Sequence, residues 1–292
     1  MTGRPMFGLL LAAFGAILLS PDTLMMRLSG LDGFAMLAWR GLLTALALLS
    51  VWALFGGTTR RRDLGALASG AGVAVICAQF VNSVVFSLSI SVAPVPVVLF
   101  GVAAAPVFGA IFAWAILREA TRASTWVAIT AVLFGIALAV FGKTEGQVSL
   151  DPWTALGALG GLVVGAALAL TFVVLRMRAD LSILLCVGLG SLASGALGLS
   201  VAGSGVLQGT VWPIAVSGLI LLPVSFFALS YASRFTQASN VSLMLLLETV
   251  LGPVIVWVGV GEAPTRAMLL GGAIVVGSIA TYLVYSGRRQ VV

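Results

Sequence analysis

Few residues in this chain can do chemistry, and most of them stand in apolar surroundings. Glu248 follows directly on Leu245, Leu246 and Leu247. A carboxylate at membrane depth is costly, so it calls for a partner. It would serve as the ligand of a solute amine or as a proton carrier; a structural hydrogen bond to a neighbouring helix is the other use. Asp22 and Arg40 form a second case. Each lies close to an end of its apolar stretch, at similar depth on adjacent stretches. They would form a structural ion pair, or else bind a zwitterion between them, guanidinium to carboxylate and carboxylate to amine. Gln79, Asn82, Ser83 and Phe86 follow one another at offsets of 3, 4 and 7. That spacing puts them on one face of a helix. Such a polar stripe lines a solute cavity or bonds to another helix. Ser217 and Ser225 give a weaker version of the same signal.

Other chemistry is closed off. The chain has no histidine, which removes imidazole metal sites, Ser–His triads and imidazole proton relays. The two cysteines, Cys77 and Cys186, read as small buried hydrophobes and not as half of a disulfide framework. Gly142-Lys143-Thr144 looks like the end of a phosphate-binding loop, but Ala137 stands where the required glycine belongs. No ATP hydrolysis is expected, and no cofactor or metal. A driving force would come from a solute gradient, a proton gradient or a separate subunit.

These residues must be positioned by helices in a bilayer. The 292 residues are 61% hydrophobic and 8% charged, with a mean hydropathy of +1.19; soluble domains carry about 25% charge. A span takes about 20 apolar residues. Ten stretches qualify, near 6–26, 33–55, 65–88, 94–116, 124–142, 154–175, 182–202, 211–232, 239–259 and 267–286. The first has only Arg4 ahead of it and no clear small-x-small site before Asp22, so it reads as a span and not as a cleaved leader. With ten spans, eleven Arg fall on the face that holds the N-terminus, and Arg27, Lys143 and Arg266 on the other. Positive charge stays cytoplasmic, so both termini are expected inside. The net charge of +6 then reflects topology and anionic lipid rather than nucleic acid.

One string occurs twice. V-x-G-x4-W-x4-E-A runs through Val107, Gly109, Trp114, Glu119 and Ala120, and again 143 residues on through Val250, Gly252, Trp257, Glu262 and Ala263. Val132, Ile136 and Ala137 recur in the same register as Val275, Ile279 and Ala280. Trp and Glu are rare here, so their pairing carries the inference. Two units of five spans each, 1–146 and 147–292, follow. Five is odd, so the copies lie upside down relative to each other, as in many transporters. Small residues spaced by four, Gly157, Gly161 and Gly165 on one span and Gly8, Ala12 and Ala16 on another, predict close helix contacts. Pro106 and Pro253 interrupt corresponding spans four positions out of register. They would be static kinks, or kinks along a solute path. Trp39, Trp126, Trp153 and Trp212 fall near span ends as interface anchors.

The chain resembles the drug/metabolite transporter superfamily, specifically its EamA-type exporters. The family's mid-helix proline and its terminal Gly-Glu or variant are matched by Pro106 through Arg118-Glu119 in one half and by Gly261-Glu262 in the other. Glu248-Thr249 occupies the family's Glu-Pro position, with Thr249 departing from the pattern and Pro253 one turn later; Trp39-Arg40 is similar to a family arginine near that helix start. Within the family the chain is most similar to YddG-type aromatic amino acid exporters. The resemblance implies an all-α polytopic protein of a bacterial inner membrane, ten helices in two inverted repeats around a central cavity. It implies a monomer with a small-molecule substrate and lipid as partners, and no nucleic acid. Amino acids would be exported by alternating access as the halves rearrange. Solute would meet Gln79, Asn82, Ser83, Phe86, Phe100, Ser217, Ser225, Met244 and Glu248. Asp22, Arg40, Pro106, Pro253, Trp114 and Trp257 would be structural or gating. The competing transport reading is a proton-coupled exporter of lipophilic cations that depends on Glu248. An intramembrane enzyme lacks a matched acid–base set, and a receptor or scaffold subunit would have little surface outside the membrane for partners.

Overall fold

The computed structural model describes residues 4–93, 95–141, 152–260 and 266–288. Every regular element among them is helical. Helix α1 (Arg4–Leu19) meets α2 (Asp22–Ser29) at a break over Ser20 and Pro21. Pro21 has no amide to donate, and the Ser20 amide and hydroxyl turn back onto Ala16. Helix α3 (Gly33–Phe55) starts at Asp32, whose Oδ1 accepts the amides of Phe34 at 2.8 Å and Ala35 at 2.9 Å. That cap satisfies donors the helix itself cannot use. The short α4 (Arg60–Leu67) leads to α5 (Gly70–Val92), capped by Ser69.

Helices α6 (Val95–Val102) and α7 (Ala105–Phe112) are separated by a turn at Ala103 and Ala104. A π-helical turn, Ala113–Leu117, continues α7. Helices α8 (Ala123–Phe141), α9 (Pro152–Met177) and α10 (Ile183–Ala202) are continuous. Helix α11 (Val211–Val216) passes through a π-helical segment, Ser217–Leu221, into α12 (Leu222–Ala232). Helices α13 (Ala238–Leu245) and α14 (Leu247–Val260) are parted by a turn at Leu246, and α15 (Arg266–Arg288) closes the series. The turns at Ala103 and Leu246 are 143 residues apart, the offset of the repeated string.

Among the described residues, seven helical stretches are long and apolar enough to cross a membrane, including Met6–Ser29, Gly33–Phe55, Ala155–Met177 and Ala238–Gly259. Three shorter apolar helices, Ala105–Leu117, Ala123–Gly135 and Ala273–Tyr282, fall within the remaining expected stretches. Large apolar side chains such as Leu54, Phe55, Trp114 and Val258 are exposed on the outside, where lipid rather than water would meet them. The interior is closed by Phe172, Leu175, Leu229, Leu243 and Leu246.

The most extensive helix contacts pair α3 with α10, α5 with α9, α8 with α15 and α6 with α9, followed by α1 with α12. The glycines explain how close these pairs come. A Cβ added to Gly41 on α3 would lie 2.5 Å from the Gly195 nitrogen on α10, and one on Gly198 would lie 2.5 Å from the Ala38 nitrogen. Gly157, Gly161 and Gly165 face Ala93, Val98 and Val102, so their stripe seats α9 against the chain around α6.

One expectation needs correction and another an addition. Cys77 is exposed on the outer surface of α5, and only Cys186 is buried; both are free thiols. Trp39 does more than mark an interface: its indole Nε1 donates to the Val206 carbonyl at 2.8 Å, fastening α3 to the chain beyond α10.

Candidate functional site

A cavity opens in the middle of the bundle, walled by α1–α3, α5, α6, α9, α10, α12, α13 and α14. It holds about 650 Å³ of atom-free space including its mouth, of which the centres of water molecules can reach about 50 Å³. That is room for a few waters. A solute with an aromatic side chain would require the wall to move.

The polar wall comes from three places. On α5, Gln79, Asn82, Ser83, Phe86 and Ser87 face the cavity. Gln79 donates to Ser83 Oγ at 3.2 Å and to Ser191 Oγ on α10 at 3.4 Å. The break after α1 sets Asp22 at the start of α2, where it is 1% exposed and bonded to Arg40 of α3, Nη2 to Oδ2, at 2.8 Å. Its other oxygen, Oδ1, accepts from Ser217. The π-helical segment that begins at Ser217 is thereby tied to α2, and Thr44, one turn beyond Arg40, donates to the Gly218 carbonyl at 3.1 Å. The Arg40 guanidinium also lies 5.5 Å from the centre of the Phe86 ring, within cation–π range. The third contribution is Glu248, in the first turn of α14 beyond the Leu246 break. It is 6% exposed and lines the cavity. No hydrogen bond or ion pair engages it among the described residues.

The structure thus brings Gln79, Asn82, Ser83, Phe86, Glu248, Asp22 and Arg40 to one cavity. Ser217 stands behind the wall, holding Asp22. Ser225 and Met244 are fully buried, outside the lining. Pro106 opens α7 just past its break. Trp114 and Trp257 are exposed at the outer surface, away from the cavity. The side chains of Phe100 and Pro253 lie outside the described residues, as does Glu262. Sequence reasoning passed over Thr44, Ser87 and Ser191. Thr44 follows Arg40 at i+4, and Ser191 sits in a helix of small residues between Gly188 and Gly198; both spacings were visible signals.

A second polar assembly lies at the arginine-bearing end. Arg176, at the end of α9, donates from Nε and Nη2 to Glu119 at 3.0–3.3 Å, and from Nη1 to the carbonyls of Thr236 at 2.6 Å and Ser233 at 3.3 Å. Tyr282 of α15 donates to Asn240 Oδ1 at 2.8 Å, and Thr125 of α8 lies 3.0 Å from the Tyr282 hydroxyl. Arg234 donates to the Leu181 carbonyl at 2.6 Å, and burial holds its pKa below the ordinary arginine value. In the connection after α9, Arg178 clasps Asp180 through two bonds of 2.8 Å and holds its carboxyl at about 2.

Comparison with known proteins gives these features a class. Residues 6–141 match the EamA-like transporter family. A stretch of 71 residues is 39% identical to the uncharacterized transporter YdfC of Bacillus subtilis (strain 168), covering 24% of this chain and 23% of that protein. The match therefore spans about a quarter of the curated relative's length. A crystal structure superposes with a TM-score of 0.72 at 19% identity, over 96% of this chain and 97% of that one. At that identity the likeness concerns the fold alone. The chain is a multi-pass membrane protein whose residues 6–141 are similar to a transporter family.

Proposed function

We propose that this protein carries amino acids and related small metabolites, large neutral ones foremost, outward across a bacterial inner membrane by alternating access. The observation that carries the reading is a cavity with an ion pair, an unpaired carboxylate and an amide stripe in the middle of an otherwise apolar bundle. Ligand sites of transporters lie there, near helix breaks, and the breaks at Ala103 and Leu246 flank this one.

Ten spans in two inverted units, 1–146 and 147–292, complete the proposal. Number the spans in order and advance each by five. The α5–α9 contact, third span on sixth, then becomes the α12–α1 contact, eighth on first, while α3–α10 and α8–α15 map onto themselves. That pattern supports a two-fold relation between the units. The excess of arginine at the end bearing Arg60, Arg61, Arg62, Arg118, Arg122 and Arg176 supports cytoplasmic termini. Arg176 and its partners then close the cytoplasmic side in this conformation. The chain is taken to act as a monomer.

A second reading, proton-coupled export of lipophilic cations, is favoured by Glu248, a buried carboxyl group with no ion pair among the described residues. Uptake of labelled phenylalanine into proteoliposomes, with and without a pH gradient, separates the two. Equilibration without a gradient that fails in Gln79→Ala supports the amino acid reading. Absence of phenylalanine flux, with gradient-driven cation movement that Glu248→Gln abolishes, supports the second.

A further inference from the structure

Three ionisable groups line the cavity, Asp22, Arg40 and Glu248. Their bonding decides which are open to a solute. Asp22 has both oxygens occupied, by Arg40 and by Ser217. Arg40 is 8% exposed and uses Nη2 on Asp22, while its Nη1 is buried with no acceptor. Glu248 is 6% exposed and has neither hydrogen bond nor ion pair among the described residues. One carboxyl group and one cationic N–H are therefore left over at the same cavity. A buried charge or donor without a partner is expensive, and the natural relief is a ligand that supplies both.

Charge sets the order of importance. With Glu248 ionised, two carboxylates face one guanidinium and the cavity carries one unit of negative charge in excess. A cation neutralises it, a zwitterion leaves it in place, and an anion doubles it. Around these groups the wall is apolar: Leu19, Phe86, Leu99, Leu168, Leu222 and Phe226.

Resting on the transport reading above, we propose that the cavity selects solutes with a protonated primary amine, seated on Glu248. An oxygen acceptor a few bonds away is taken by Arg40 Nη1, and an apolar group lies against Phe86 and Phe226. The amine is obligatory and the carboxylate charge is not. Amino acid amides and esters fit the charge of the site better than the free amino acids, and a carboxylate without an amine is excluded. Asp22 does not touch the solute; it orients Arg40.

Calorimetric titration of the purified protein in detergent tests this with four compounds that share one ring: phenylalaninamide, phenylalanine, phenethylamine and 3-phenylpropionate. Phenylalaninamide is expected to bind tightest and 3-phenylpropionate at least tenfold more weakly. Glu248→Gln should weaken phenylalaninamide at least tenfold. Arg40→Lys keeps a cation for Asp22 but removes the second arm of the guanidinium, and with it a donor at the Nη1 position, so it should erase the preference for phenylalaninamide over phenethylamine. Binding of 3-phenylpropionate as tight as that of phenylalaninamide overturns the proposal, as does unchanged binding by Glu248→Gln or binding of none of the four. Flux of the same compounds into proteoliposomes is scored separately. Flux without amine dependence sinks this inference and leaves transport standing; amine-dependent binding without flux does the reverse.

Discussion

The cavity and the arginine-bearing end both hold charged side chains, yet they leave them in different states. At the end, every donor group of Arg176 has an acceptor: Glu119 takes Nε and Nη2, and two carbonyls take Nη1. The pair is partly open, at 22% and 34% exposure. In the cavity the burial is far deeper, and among the described residues the bonding is incomplete: Arg40 Nη1 has no acceptor and Glu248 has no hydrogen bond or ion pair. At the end only the Nε of the neighbouring Arg234 is left in that state among the arginines. A satisfied pair such as Arg176 and Glu119 holds a shape. An unsatisfied one in a buried wall stores a preference for whatever completes it.

Several substitutions would break or sharpen that contrast. The largest effect is expected from Asp22→Asn, which strands the Arg40 charge. Removing one member of a buried pair costs about 3–5 kcal/mol, so unfolding of the purified protein should shift strongly, and the double change Asp22→Asn with Arg40→Met should recover most of it. A wild-type transition in Asp22→Asn would show that the pair does not support the fold. Arg176→Gln should cost less, about 1 kcal/mol after allowance for solvent screening. It should also speed proteolysis of the segments that meet at Arg176, around Glu119 and Thr236; unaltered cleavage would remove the closing role given to this cluster. Glu248→Gln should leave the unfolding transition in place or raise it, because it removes a buried carboxyl group that has no hydrogen bond or ion pair among the described residues, while solute binding falls. If Glu248→Gln unfolds early instead, the carboxylate has a structural partner and the contrast fails. The smallest effect belongs to Arg178→Ala. The bond to Arg178 lowers the Asp180 carboxyl from 3.8 to about 2, so whatever this exposed pair contributes is complete above about pH 4 and fades as pH falls through 2. Melting curves of Arg178→Ala and wild type should therefore run parallel from pH 5 to pH 8.

Much of this was legible in the residues. Offsets of 3, 4 and 7 placed Gln79, Asn82, Ser83 and Phe86 on one face, and all four line the cavity. Similar depth predicted the Asp22–Arg40 pair, which forms at 2.8 Å. The rest was hidden for physical reasons. Ser217 bonds Asp22 because a π-helical segment aims it there, and apolar periodicity does not announce a change of winding. Met244 stands one position from the wall residue Leu245; the break at Leu246 decides which of them faces inward. Arg176 looked like one more charge at a span end, because three of its acceptors come from residues 57 to 60 positions away.

The meeting of α3 with α10 has a mechanical consequence. Where Gly41 faces Gly195 and Gly198 faces Ala38, main chain rests on main chain. Little can flip there to let one helix slip past the other, since Leu42 already packs on Gly195, and a slide of one residue would drive Leu197 into the seam. The two helices come from opposite halves of the sequence, so they weld those halves together along that line. On the proposed transport reading, the moving bodies would then not be the two proposed units but groups of helices drawn from both, hinged where the chain is already broken, at Pro21, Ala103 and Leu246.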